Sequence, residues 1–549
     1  MEVQIILICK TISVLTVSLF FLFSNVFSKE KIGPLENVNT TLSGSYLSWV
    51  HAKKQGDPKR TGKFLSLLSE KINDKELLIN AFSSSLLLNN WNISKKLAEK
   101  IFLFDKNNFF ANIVLSTFFF NEKQYNKSIE YIKNINSADI DNSFLNIITS
   151  WIYLQNNNRD LLYKYFQNEN CKPIICLHGG LIYNQLGEKQ IAKQKFDKIL
   201  DQTDSSLRIL EILYSFYSNN KFINQIDNLK KKIGTKDEQQ KFLSKKMFNE
   251  ISTPRDGLAE IYFNISAWFY ERSLFRYSVY FANIGLTINS DFQALKLLAA
   301  NSYERLELLE YSLKQIDGVS HESIYFSPSV FLKTSILNEM GDNKKLINFL
   351  KNLLDDFQYD EKIEILLADT LRSEGFYKDS LKLYNKIIDQ QTSVNNEKYY
   401  LFYSRGIALE RLKKWKKAER DFMKALKLRP NDPFILNYIG YSWLERKVNI
   451  KKALDFITIA AEQEPQDAYI IDSLGWAHYL IGNFKKSIDI LELAVTLSPN
   501  DATLNDHLGD AYWRDGRTRE AVSQWKRILI IDPDFEKIKE VQDKIATGL

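Results

Sequence analysis

Cysteine, histidine and proline are scarce in this sequence, with three, five and ten in 549 residues, beside 20 glycines. Three cysteines cannot staple a small disulfide scaffold, and structural zinc usually wants four ligands. Five histidines leave little for a metal centre or for acid–base catalysis. There is no phosphate-cradling glycine loop, no HExxH, no CxxC pair and no GxSxG. Alternating strand patterns are missing too. Long stretches without breakers, and apolar residues spaced by three and four as in ALDFITIAAEQEP, favour helix.

Charge of one sign is also not in excess. The net charge of +6 is small for this length and rests on scattered lysines. Residues 431–549 hold 19 acidic and 14 basic residues, so the C-terminal region is acidic. A nucleic-acid footprint needs a clustered basic face, and none is present. Hydrophobic content of 45% with 26% charged residues marks a folding chain, too long for one ordinary core.

The only long hydrophobic run lies at the front. Residues 1–28 carry Lys10, an apolar run from Thr11 to Phe23, and small residues Val26 and Ser28 before Lys29. This pattern predicts a signal peptide, or an uncleaved anchor, and export in either case, to the periplasm or the outer face of the inner membrane. Membrane contact is expected only through this segment.

What fills the rest is a repeat. The stretch LGWAHYLIGNFKKSIDILELAVTLSP (474–499) is followed 34 residues later by LGDAYWRDGRTREAVSQWKRILIIDP (508–533). Small residues recur at Gly406, Gly440, Gly475 and Gly509, then at Ala418, Ala453, Ser487 and Ala521. A large residue follows at Phe422, Ile457, Leu491 and Trp525, and a later position holds Ala425, Ala460, Ala494 and Ile528. Each unit closes on a proline: Pro430, Pro465, Pro499 and Pro533. Two antiparallel helices approach closely only where side chains are small, and proline forces the chain over to the next unit. Arg446–Asn449 carries a one-residue insertion in a turn.

These units resemble the tetratricopeptide repeat, a 34-residue helix–turn–helix unit. The layout is similar to exported multi-repeat members from Gram-negative bacteria. The resemblance is strong from about residue 360 onward and weaker upstream, where GLIYNQLGEKQIAKQKFDKIL (180–200), Gly341, Gly375 and Gly56 mark further units. It implies an all-α, right-handed α-solenoid of about fourteen units. The expected divisions are a leader at 1–28, a degenerate array at 43–228, an irregular or hinge segment at 229–256, divergent repeats at 257–395 and regular repeats at 396–549.

In this family the face lined by the first helix of each unit usually binds peptides or partner helices. The register places Tyr403, Asn437, Asp472 and Asp506 in one ladder, and Tyr441, Trp476 and Asp510 in another, with Trp513 and Arg514 after them. Aromatics among Asn and Asp suit a partner with apolar anchors and basic groups. Space-filling between helices is the other reading of Trp476. The lysine, asparagine and arginine clamp of the family's chain-terminus binders is absent. His478 is expected in the core; His507 is left open between core and groove. The resemblance thus implies a protein-interaction scaffold in envelope assembly, secretion or polysaccharide export, without cofactor or metal and not an enzyme. The alternative is a glycan-processing factor with Tyr441, Trp476 and Trp513 as a sugar platform. Cys171 and Cys176 read as packed thiols, as a disulfide, or with His178 as part of a metal site.

Overall fold

The computed structural model describes residues 41–549 except 56, 70–73, 136–140, 159–161, 163, 164, 167–170, 203–205, 234–247, 357–360 and 391–397. The leader at 1–28, the turn at Gly56 and half of the 229–256 segment therefore lie outside the described residues. Every regular element among the described residues is an α-helix. None is long and apolar enough to cross a membrane.

The repeat is written in the backbone more legibly than in the sequence. Left-handed residues occur at Asn89, Lys123 and Asn157; at Gly187 and Lys221; at Ser273, Glu307, Gly341 and Gly375; at Lys413 and Lys447; and at Gly482 and Gly516. Within each of these groups the spacing is 34 residues. Each marks the tight turn inside a helix pair. The residue after it closes the first helix with a Schellman bond, as in Asn90 N–H to Ser85 O, Asn483 N–H to His478 O and Arg517 N–H to Tyr512 O, all 2.9 Å. Glycine meets this geometry without cost. Upstream, Asn, Lys, Ser and Glu occupy it, which is why the front repeats are faint in the sequence. The insertion at 446–449 is absorbed by a second left-handed residue, Asn449, at φ 48°.

The chain forms two compact units, residues 1–340 and 341–549. In the first unit the repeats do not touch their neighbours alone. The pair Pro254–Glu271 and Phe275–Ile288 packs against Lys75–Leu87, Phe109–Asn121, Asn142–Gln155 and Pro173–Gln185. These four are all first helices of earlier pairs, so the face they form is filled by the chain itself. Gly257 makes the approach possible: a Cβ there would lie 2.4 Å from the Trp151 ring. Trp151 in turn donates from Nε1 to His178 Nδ1 at 2.9 Å. Tyr262 and Thr117 share a hydroxyl bond of 3.0 Å, and Tyr303 donates to the Leu87 carbonyl at 2.8 Å. The extended, neighbour-only stack expected of a solenoid is thus folded back on itself here.

A fully buried polar cluster fixes the same fold-back. Arg208 donates to Glu260 Oε2 at 2.7 and 2.9 Å and to Glu211 Oε2 at 2.5 Å. Tyr325 donates to that Glu211 oxygen at 2.6 Å, and the Asn249 amide reaches Glu211 Oε1 at 2.7 Å. Nearby, Thr253 and Asp256 form a capping box around Pro254 that starts the long helix. Cys171 and Cys176 are joined at an S–S distance of 2.00 Å, so neither the packed-thiol nor the metal reading holds for them.

In the second unit, four regular pairs run Tyr399–Arg411 with Trp415–Leu428, Pro433–Glu445 with Ile450–Gln463, Ala468–Leu480 with Phe484–Leu497, and Ala502–Arg514 with Thr518–Ile531. A single helix, Ile538–Thr547, follows. The small-on-large register holds at every crossing. A Cβ on Gly406, Gly440, Gly475 or Gly509 would come within 2.4–2.6 Å of Phe422, Ile457, Leu491 or Trp525 respectively. Ala418, Ala453, Ser487 and Ala521 are fully buried beside them. After the closing turns, Asp432, Asp467 and Asp501 each cap the next helix by accepting two backbone N–H groups.

Candidate functional site

The first helices of successive pairs in the second unit pack on one another as well as on their own second helices: Pro433–Glu445 lies on Ala468–Leu480, and that helix on Ala502–Arg514. Residues one repeat apart are therefore brought within reach across this face. Arg446 pairs with Glu410 at 2.7 Å. Trp476 Nε1 donates to Glu445 Oε1 at 3.3 Å. His507 Nδ1 lies 3.0 Å from Asp472, and Lys544 lies 2.7 Å from both Asp506 and Asp510. These rungs span 31 to 38 residues in sequence, one repeat each.

The aromatic members are half-buried and mutually packed. Tyr403 meets Tyr438 edge to face at 5.8 Å and leans on Phe422. Tyr441 is hydrogen-bonded to Glu445; burial first, then Glu445 and Asp472, push its hydroxyl pKa upward. The Trp476 ring stacks on Tyr479 at 4.4 Å and on His507 at 4.1 Å, both nearly parallel. Two rings that close to one centroid would collide if they shared a face, so they sit on opposite faces of the indole. Trp476 has no free face for a sugar, and the platform reading loses its central member. Trp513 leans on Trp525, and exposed Arg514 is hydrogen-bonded to Tyr479.

The aspartates of the ladders are not displayed to solvent. Asp472, Asp506 and Asp510 are 6%, 4% and 6% exposed, and the chain's own His507 and Lys544 hold them. Burial disfavours the His507 imidazolium, yet Asp472, then Asp506 and Asp510, outweigh it and raise its pKa. Asp510 is raised by burial and by neighbouring Asp506, against the pull of Lys544. His507 is thus a packed joint residue. His478 is buried as expected, and burial and Lys486 lower its pKa.

Asn437 differs from the other ladder residues. Its ladder position lies between Tyr403 and Asp472, and its Oδ1 is buried without a hydrogen-bond partner in the protein. Buried polar atoms nearly always have a partner. Of the partner residues, Glu445 and Lys544 were not singled out by sequence. For Lys544 the signal that would have found it is a charge of opposite sign one repeat away.

No group of three or more His, Cys, Asp or Glu residues placed to hold a metal occurs among the described residues. Two of the helix pairs that build this face match a described family: residues 399–432 and residues 468–501 each match the tetratricopeptide repeat (TPR). The chain carries tetratricopeptide repeats. A TPR repeat-containing protein of Pseudomonas aeruginosa is 29% identical over 82 residues, 15% of this chain and 14% of that protein's length. Among solved structures, MamA (residue 41 to the end) from Desulfovibrio magneticus RS-1 is 24% identical, covering 33% of this chain and 99% of that one at a TM-score of 0.28. The Cut9–Hcn1 hetero-tetramer of the APC/C is 14% identical over 86% of this chain and 96% of that one, TM-score 0.37. YrrB, described as a TPR protein with an unusual peptide-binding site, is 18% identical over 35% of this chain and 97% of that one, TM-score 0.28.

Proposed function

We infer that this TPR chain is an exported, non-catalytic scaffold whose second unit takes a protein or peptide segment along the first-helix face between Tyr403 and Arg514. The observation that carries this reading is Asn437 Oδ1, a buried acceptor without a partner, set among half-buried Tyr403, Tyr438 and Tyr441. Aromatic anchors beside an unsatisfied acceptor suit a partner segment that brings apolar side chains and a hydrogen-bond donor. The first unit fills its equivalent face with its own helices, which leaves the second unit as the receiving one. The leader pattern at 1–28 and the Cys171–Cys176 disulfide support export to an oxidising compartment, with a role in envelope assembly, secretion or polysaccharide export.

The test is in-cell crosslinking of the tagged protein followed by mass spectrometry, comparing wild type with Asn437→Ala and with Tyr441→Ala/Trp476→Ala. One envelope protein captured by wild type and lost in both variants supports the reading. An unchanged captured set moves binding away from this face and refutes it. Alkylation of the purified protein under non-reducing conditions, and the identity of its first residue, test export.

A further inference from the structure

In the first unit the fold-back brings two cations together that the sequence keeps far apart. Lys53 lies on the helix Leu42–Lys54 and Arg276 on Phe275–Ile288, and both are exposed. Partial burial first, then the Arg276 charge close by, lower the Lys53 pKa. The same Arg276 stands near the hydroxyl of buried Tyr280, which is hydrogen-bonded to Ser83. Neither cation has an ion pair among the described residues. Like charges set side by side without a carboxylate repel each other, and an anion between them removes that cost.

A buried donor lies beside them. The Lys53 ammonium is 5.2 Å from the centre of the Trp49 ring, one turn back on the same helix. Trp49 is 3% exposed, and its Nε1 has no hydrogen-bond partner in the protein. An indole nitrogen only donates, and buried donors nearly always meet an acceptor. The rest of this seam is aromatic or apolar. Tyr46 packs on Trp49 and Tyr277 stacks on Phe110, both at 5.7 Å. Val50 and Leu274 are exposed on the same two elements.

Ammonium, guanidinium and indole N–H are three donors carrying two positive charges. A carboxylate answers them with one charge and two oxygens. A phosphate monoester brings about 1.5 to 2 negative charges at neutral pH and three acceptor oxygens, which matches the set. A guanidinium fork also suits two of those oxygens.

We propose that Trp49, Lys53 and Arg276 form a binding site for a phosphate monoester, which bridges the front helix and the fold-back pair. Val50, Leu274 and Tyr277 flank the site where the esterified group of a phospholipid would lie. The site belongs to the first unit, so it stands or falls independently of the first-helix face of the second.

The test is calorimetric titration of the full-length chain with inorganic phosphate and with dihexanoyl phosphatidate, a lipid short enough to stay dissolved. Acetate and dihexanoyl phosphatidylcholine are the comparisons. A phosphate monoester should bind at least about tenfold more tightly than either comparison, by the usual strength of charge-assisted hydrogen bonds. Lys53→Gln/Arg276→Gln, which alters only exposed side chains, should weaken that binding by at least about tenfold. Trp49→Phe keeps a ring in place, removes the N–H and should weaken it about threefold or more. Similar affinity for both probes upholds a site for the phosphate group itself, and preference for phosphatidate upholds one for a lipid headgroup. Binding of neither probe, equal binding of acetate, or an affinity unchanged in Lys53→Gln/Arg276→Gln overturns the proposal. Unchanged affinity in Trp49→Phe overturns the three-donor site and leaves mere surface attraction. Where Trp49→Phe melts early, the tryptophan indole N–H resonances decide. One should move with the bound probe in wild type and none in Lys53→Gln/Arg276→Gln; no movement in wild type overturns the site.

Discussion

His507 Nδ1 lies 3.0 Å from both carboxylate oxygens of Asp472, joining the first helices of the third and fourth regular repeats. Trp476 covers the imidazole at 4.1 Å, and Asp506 and Asp510, themselves held by Lys544, add to the negative surroundings. The folded-state pKa of His507 is raised, so the folded chain holds this proton more tightly than the unfolded one. The stabilisation is therefore complete below the ordinary histidine value and fades as pH rises through the raised one. Thermal unfolding of the second unit should occur at lower temperature at pH 8.5 than at pH 6. Asp472→Asn should flatten that dependence and cost about 1–3 kcal/mol at low pH. A dependence that survives the substitution would assign it elsewhere.

His178 gives the opposite slope in the first unit. It is fully buried, accepts from Trp151, and burial lowers its pKa from 6.5 to about 3. The unfolded chain takes up the proton first as pH falls below 6.5, so stability declines from there toward about 3. At pH 5 the loss is about 2 kcal/mol. Urea unfolding at pH 7 and pH 5, with His178→Gln as the variant that should lose the difference, measures it.

Arg208 pairs with two buried carboxylates at once. Arg208→Leu would leave Glu211 and Glu260 without their cation inside the first unit and should cost about 3–5 kcal/mol. Guanidinium unfolding should show a lowered midpoint for the first unit, while the second unit unfolds as in wild type. An unshifted midpoint would show that the carboxylates find protons or water readily.

Gly475 has no room for a side chain, with Leu491 Cδ2 and Cγ 2.6 Å from where a Cβ would stand. Gly475→Leu should force the third pair apart and cost about 1–3 kcal/mol. Calorimetry should record a lower transition for the second unit. An unchanged transition would mean that the helix crossing lies elsewhere.

How far the sequence reached differs between the two units. Glycine at 406, 440, 475 and 509, and the large residues sixteen or seventeen places later, located every helix crossing in the regular repeats, because a close crossing admits almost no other residue. Upstream the same geometry was hidden. The left-handed turn tolerates Lys123, Asn157, Ser273 and Glu307 at modest cost, and at the crossing Ser266 replaces glycine and Ser278 replaces alanine, sharing a 3.0 Å hydroxyl bond. A pattern built on glycine and proline registers such units only weakly.

The sequence by itself determined the repeat, its 34-residue period and the residue types at each crossing, since these follow from local backbone geometry and from pairs of helices adjacent in the chain. Only the tertiary structure decided what each first-helix face holds. Gly257 against Trp151, Arg208 against Glu260 and Lys544 against Asp506 and Asp510 join residues 34 to 106 positions apart. Which side chain answers which charge at such distances depends on how stacked pairs curve and turn back, a sum of many small packing preferences. No single stretch of sequence carries that sum, so a ladder of aspartates that reads as open to a partner is closed by the chain's own lysine.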